Sequence, residues 1–465
     1  MMTRRSVALF FIAFVALAAD RKPTPLDDFI KRPDPAFKFT LAKTMPGEGY
    51  TAYVLDLASQ TGPPAAPDTT DHPVWKHWLT IIKPDKIEST TGLLFISGGS
   101  VRDAAPARAD AGMVEMAMAT NTVVAELRGI PNEPLVFKEE GKSRNEDAII
   151  AYSWVHYLKT GDTTWPLHFP MAKAAVRAMD AVTQFCATPE AGNTKVEKFA
   201  VAGASKRGWT TWLTAAADTR VVAIIPLVID TLNTEKAFNH HYQAYGFYSP
   251  AVKDYEDLGL MEMGGTPKYR ELMKLEDPFS YRDRFTMPKL IINSAGDQYF
   301  LPDSSQFYFD ELPGERYLRY VPNTDHSLRN SDARESLIAY YYAFLHNQPR
   351  PRFTWKFEKD GRITVKCQDE PTEVKLWHAT NPDKRDFRLV ALGPAYKSTV
   401  LTAKTKGAYE ATIEKPEKGW SAGFIELTFP GGGKYPLKFT TAVRVTPDTL
   451  PFPLPKPSGK LPDAH

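Results

Sequence analysis

Cysteine is scarce: two in 465 residues exclude a disulfide framework. Cys186 falls in a helical pattern and Cys367 in a strand-like stretch, without metal-ligand spacing around them. Two unpaired thiols packed as small apolar groups are expected, with a single bridge between them as the alternative in an oxidising compartment. A thiol enzyme is disfavoured, because neither cysteine sits at a sharp strand-to-helix turn. Charge of one sign is also missing: 57 basic residues against 55 acidic ones leave a net +2, without a dense Lys/Arg run. Nucleic acid is therefore not an expected partner. There is no internal repeat, and after the first twenty residues no apolar run approaches the roughly 20 residues of a membrane span.

What is present begins with MMTRRSVALFFIAFVALAAD, in which Arg4 and Arg5 precede an apolar run from Val7 to Leu17 and small residues at Ala16, Ala18 and Ala19. This pattern predicts a Sec-type signal peptide over residues 1–19 and export to the periplasm or medium. An uncleaved anchor is the alternative, disfavoured by the shortness of the run. Residues 21–72 are rich in Pro and Thr and read as an entry segment with peripheral antiparallel strands, one of them Gly49 to Leu57.

The pattern then changes to apolar strand, loop and helix, repeated. Strands are expected at His77 to Ile82, Gly92 to Ile96, Asn121 to Leu127, Lys198 to Ala202, Val222 to Ile229 and Lys289 to Ser294, with helices at Glu146 to Thr160 and Met171 to Phe185. Such alternation predicts a mostly parallel sheet with helices on both faces. An aromatic-rich insert at about 231–287 is placed as a cap, and a helix from Asp332 to Leu345 closes a first unit spanning 20–350. Alternating strands over 351–445 predict a separate C-terminal β-sandwich domain, followed by a Pro-rich tail, 446–465, expected to be extended or disordered.

The strongest local chemical signal is Phe199-Ala-Val-Ala-Gly-Ala-Ser-Lys-Arg-Gly-Trp209, an apolar strand that ends in small residues and turns into an amphipathic helix at Ser205. A strand-to-helix elbow lifts a serine hydroxyl above a sheet and tolerates only small neighbours. The spacing here is GxSxxG, with Arg207 where the second glycine of GxSxG would stand, and alone it is a weak motif. Chain order strengthens it. Asp297 follows the strand Leu290-Ile-Ile-Asn-Ser-Ala-Gly, and His326 follows Leu318-Arg-Tyr-Val-Pro-Asn-Thr-Asp. Ser, Asp, His is the order of the α/β-hydrolase fold, so Ser205, Asp297 and His326 are the candidate nucleophile, orienting acid and general base. Asp230, at the end of the preceding strand, is the competing acid; Asp325 reads as a turn former.

The backbone amides of Lys206 and of Gly99, in Leu94-Phe-Ile-Ser-Gly-Gly-Ser100, are the candidate oxyanion hole, with an ordinary glycine turn as the alternative reading of Gly98 and Gly99. Lys206 and Arg207 either add charge near the developing anion or pair at the surface. His240, His241 and Tyr242 in the cap, together with Arg128, are substrate-binding candidates, with a packed lid as the alternative for the cap residues. Glu126, Asn132 and Glu133 share Arg128's position after a strand end, where ligands bind in such sheets. Adjacent histidines on a helix face different directions, so no metal site is expected there, and acyl transfer through Ser205 requires no cofactor.

Gly203-Ala-Ser-Lys-Arg-Gly-Trp-Thr-Thr-Trp-Leu213, Asn239-His-His, Tyr245-Gly-Phe-Tyr, Arg128-Gly-Ile-Pro-Asn-Glu-Pro-Leu135 and the segments at Asp277-Pro and Asp297 resemble the PhoPQ-activated pathogenicity-related protein family over about residues 25–440. That resemblance implies an exported α/β-hydrolase and carries no settled substrate. The expected chemistry is acyl transfer through Ser205 on a small-molecule, glycan or peptide ester, with an amide as the lesser option; a catalytically silent envelope binding protein is the rival.

Overall fold

A computed structural model describes residues 22–62 and 69–461, so the expected signal peptide and part of the Pro-rich entry segment lie outside the described residues. Helix α1 (Pro25–Lys31) leads into the meander β1 (Lys38–Gly47), β2 (Tyr50–Thr61) and β3 (Val74–Pro84). β1 is a largely exposed edge strand carrying Lys38, Lys43 and Pro46, residues that discourage pairing with another chain. There follow β4 (Thr91–Ile96), α2 (Ala111–Thr120), β5 (Val124–Leu127), a short ribbon of β6 (Leu135–Val136) and β7 (Ser143–Arg144), α3 (Asp147–Thr160), α4 (His168–Cys186), β8 (Lys198–Ala204), α5 (Lys206–Ala217) and β9 (Val221–Leu227). The cap contains α6 (Thr234–Tyr245), α7 (Lys253–Asp257) and α8 (Pro267–Glu276), after which β10 (Lys289–Ser294), β11 (Arg316–Val321) and α9 (Ala333–Leu345) complete the first unit.

The strands lie in the order β1-β2-β3-β5-β4-β8-β9-β10-β11. From β5 to β11 every pair is parallel. Strands covered on both faces read as unbroken apolar runs, and β8, Lys-Phe-Ala-Val-Ala-Gly-Ala, is buried from Phe199 to Gly203. The sheet divides two apolar cores: α3, α4 and α5 pack on one face, α2 and α9 on the other. With Ser205 after β8, Asp297 after β10 and His326 after β11, this is the α/β-hydrolase fold. α5 is almost wholly buried, and it accommodates three threonines because Thr210, Thr211 and Thr214 donate their hydroxyls to carbonyls one turn back.

The expected boundary near residue 351 needs correction. β12 (Phe353–Phe357), β13 (Arg362–Cys367) and β16 (Ala408–Thr412) form a separate three-stranded sheet. However, β14 (Glu373–Asn381), β15 (Lys397–Val400), β17 (Trp420–Phe429) and β18 (Leu437–Thr440) continue the central sheet, joined where Leu318 of β11 pairs with Thr440. β19 (Arg444–Thr446) pairs with β17, and α10 (Leu389–Leu392) follows β14. Ile363 and Val365 of the small sheet share a core with Ile425 and Leu427 of the large one, so one layer of this sandwich is the hydrolase sheet itself. A buried ion pair, Arg319 to Glu426 at 2.8 Å, crosses the junction. Beyond β19, the described part of the tail, 447–461, has no helix or strand and touches the cap: Phe452 donates its amide to Gln243 O, and Ser458 donates to Glu262. Cys186 and Cys367 are both free, and among the described residues no helix is long and apolar enough to cross a membrane.

Candidate active site

Ser205 caps α5 with φ 59° and ψ −129°, in the left-handed region that side chains rarely adopt, and its amide donates to Leu227 O on β9 at 2.9 Å. Close approach explains the flanking glycines. A Cβ at Gly203 would lie 2.6 Å from Arg207 O, and one at Gly208 would lie 2.9 Å from Gly203 O and 3.0 Å from Leu227 O. The GxSxxG spacing is thus the spacing of two positions where helix and strands touch backbone to backbone.

The loop after β10 brings Asp297 to His326. Nδ1 of His326 donates to Asp297 Oδ2 at 2.8 Å, and Asp297 Oδ1 also accepts the Tyr299 amide at 2.7 Å. Gln298 Oε1 accepts the His326 amide, so the acid loop fixes both ring and backbone of the histidine. Nε2 of His326 is buried without a hydrogen-bond partner. Tyr299 and Phe300, whose rings lie 4.2 and 5.9 Å from the imidazole, line one cavity with Ser205. The competing acid lies elsewhere: Asp230 accepts 2.6 Å hydrogen bonds from the hydroxyls of Tyr308 and Tyr320, and burial raises its pKa to about 7 against those two bonds. Asp325 shapes its own turn by accepting the amide and hydroxyl of Ser327.

The amide of Lys206 opens the first turn of α5, where helical N–H groups lack partners and favour negative charge. Gly99, at φ 138°, follows β4 in a conformation suited to glycine. Its loop is pinned by Gly129, whose amide donates to Gly98 O, and by His77, which bridges Ser59 and Gly129 O. Burial lowers the His77 pKa to about 4, which keeps this brace neutral.

Lys206 and Arg207 are buried, not paired at the surface. Arg207 donates to both oxygens of Glu146 at 2.9 and 2.8 Å, to Ile130 O, and at the limit of bonding distance to Glu133. Lys206 Nζ lies 2.5 Å from Glu146 and 3.4 Å from Asp147. The pair of carboxylates splits: burial and the neighbouring Glu146 charge raise the pKa of Glu133, whereas Arg207 and Lys206 overcome burial and lower that of Glu146. Arg207 thereby ties the elbow to the loop after β5, and Gly98 leaves it room, since a Cβ there would meet its guanidinium at 2.7 Å.

The structure does not bring His240, His241 and Tyr242 to the cavity beside Ser205. His240 bonds Asp303 at 3.0 Å, and Asp303 also receives Arg385 from the C-terminal region at 2.5 Å. His241 accepts the Ser249 amide, and its burial lowers its pKa to about 3. Tyr242 packs on Tyr248, with centroids 5.1 Å apart. These are the contacts of a packed lid. Arg128 is exposed beside Glu126, in a separate surface cavity with Trp78 and Asp103. Asn132 accepts the Lys76 amide, and Glu126 accepts the Ser97 hydroxyl. The cap residues that do reach the cavity are Thr231, Phe238, Val252 and Tyr255, which line it with Trp154, His168 and Trp209. In the sequence these positions all read as helix or loop packing, and the aromatic richness of the cap is the one signal that points to them. Among the described residues no cluster of His, Cys, Asp and Glu is arranged to hold a metal ion.

A family model described as PhoPQ-activated pathogenicity-related protein matches residues 26–388. Autocrine proliferation repressor protein A of Dictyostelium discoideum is 37% identical over 473 residues, covering 96% of this chain and 94% of that protein. Similar solved structures include acetyl xylan esterase from Paenibacillus sp. R4, with TM-score 0.48 and 11% identity over 69% of this chain and 92% of that one. Acetyl xylan esterase 1 from Thermoanaerobacterium sp. gives TM-score 0.43 and 14% identity over 65% and 89%. The S-formylglutathione hydrolase from Agrobacterium tumefaciens gives 0.42 and 13% over 66% and 99%.

Proposed function

The chain belongs to the PhoPQ-activated pathogenicity-related protein family, and from that premise and the geometry of the elbow we propose that it is an exported serine hydrolase acting on carboxylic esters. One observation carries the reading. An Asp297–His326 pair presents a partnerless Nε2 within the aromatic surround it shares with a left-handed elbow serine. His326 takes the Ser205 proton as Oγ attacks the ester carbonyl and returns it to the leaving alcohol, Asp297 holds the imidazolium, and the amides of Lys206 and Gly99 receive the oxyanion. Water then releases the acid from Ser205.

Export is part of the proposal: the Arg4, Arg5 and Val7–Leu17 pattern supports it, and the name of the Dictyostelium relative, an autocrine repressor, accords with it. Hydrolysis of simple ethyl esters, followed by acid release at constant pH, tests the chemistry. Wild type is expected to turn over, and Ser205→Ala and His326→Ala to lose about a thousandfold or more in kcat. Equal rates in all three proteins would refute the assignment.

A further inference from the structure

The cavity at Ser205 has about 40 Å³ of free volume, enough for roughly three water-sized groups by a measure in which one water needs about 10–15 Å³. Its size alone excludes a long alkyl chain. Most of its wall is apolar or aromatic, from Ile229, Phe238, Val252 and Phe300. Yet three of the side chains lining it carry buried polar atoms without any hydrogen-bond partner: Trp154 Nε1, His168 Nε2 and Thr231 Oγ1. Their residues are only 3%, 1% and 2% exposed.

Such atoms are costly unless something pairs with them, and three on residues that line one small cavity point to a ligand. Their chemistry narrows it. Trp154 can only donate. His168 is held by Glu276, whose buried carboxylate receives Nδ1–H, and by stacking on Trp209 at 4.7 Å. With Nδ1 donating to Glu276, Nε2 is the ring nitrogen left for a ligand, and it accepts whenever the ring carries a single proton. Thr231 can do either. A donor, an acceptor and a hydroxyl suit a group that both accepts and donates, which is the property of an alcohol.

We propose, on the basis of the Ser205 reading above, that this cavity is an acyl subsite selecting short acyl groups that bear a hydroxyl, of about two or three carbons. The acyl half remains bonded to Ser205 Oγ after the alkoxide has left with the proton from His326, so it is the half that a small cavity beside Ser205 can keep. Attack by water then breaks the acyl–Oγ bond and releases a short hydroxy acid.

Ethyl lactate and ethyl propionate differ only by the hydroxyl and share a leaving group. Their kcat/KM ratio, divided by the ratio of their hydroxide-catalysed rates, is expected to exceed about fivefold for the full-length mature protein, the effect of one net hydrogen bond. Thr231→Val and Trp154→Phe are each expected to lower that ratio by about fivefold. Thr231→Val should also raise the Tm, because it deletes an unpartnered buried hydroxyl. A normalised ratio of one or less, or one that both variants leave unchanged, overturns the subsite while the hydrolase reading stands. No turnover of either ester together with no fluorophosphonate label on Ser205 overturns both.

Discussion

Asp230 shows how a single side chain is read differently in sequence and in structure. Ending a strand before the cap, it looks like a triad acid; in the fold it is sealed beneath Tyr308 and Tyr320 with a pKa raised to about 7. The unfolded value is about 3.9, so between about pH 4 and 7 the native protein holds a proton that the unfolded chain has lost. Stability therefore falls as pH rises through that window, by an amount on the order of a few kcal/mol, and is level above it. Asp230→Asn removes this dependence. Its Tm, relative to wild type, should climb from pH 4 to 7 in thermal scans; parallel curves would show that Asp230 does not titrate there. Ser205, Asp297 and His326 were legible because each follows a strand that the apolar pattern reveals. Arg207 was legible as a departure from GxSxG but not in its role, because its partner Glu146 is 61 positions away.

At the scale of elements, the loop after β10 is braced from both sides. Asp303, near its end, receives His240 from α6 and Arg385 from the segment before α10, and Arg385 together with His240 lowers its pKa strongly despite burial. Gly296, at its start, accepts the Leu389 amide of α10, and a Cβ there would meet Thr324 O at 2.5 Å. Removing one member of a buried ion pair strands the others, at a cost of about 3–5 kcal/mol. Asp303→Ala should accordingly lose that much in urea unfolding and lower kcat as well, since the same loop carries Asp297; a loss below about 1 kcal/mol would mean that the brace is idle. The cap histidines were open in the sequence between binding and packing, and their buried nitrogen bonds place them with packing. The expected helix from Met171 begins at His168, because Pro170 is tolerated in a first helical turn, and that extra turn carries a residue of the cavity wall.

Across the whole molecule, the C-terminal strands are part of the sheet that positions the site. Alternating polarity revealed the strands but not their partners, since either sheet satisfies the same period of two. Asn323, three residues before His326, exchanges hydrogen bonds with Tyr396, and Arg319 of β11 pairs with Glu426. Truncation after residue 350 would expose an apolar face and leave Arg319 without its Glu426 partner. The truncated chain is expected to be insoluble or unfolded, and the full chain to melt in one transition by calorimetry. A soluble, active 20–350 fragment would show that the C-terminal region is an independent accessory.

The activated nucleophile is most directly tested by fluorophosphonate labelling of the mature protein, with the modified residue located by peptide mass spectrometry. The account predicts a single adduct on Ser205 that is absent in Ser205→Ala and strongly reduced in His326→Ala. A folded wild-type protein that takes no label, or labels equally after either substitution, would contradict it and leave the fold as a binding scaffold.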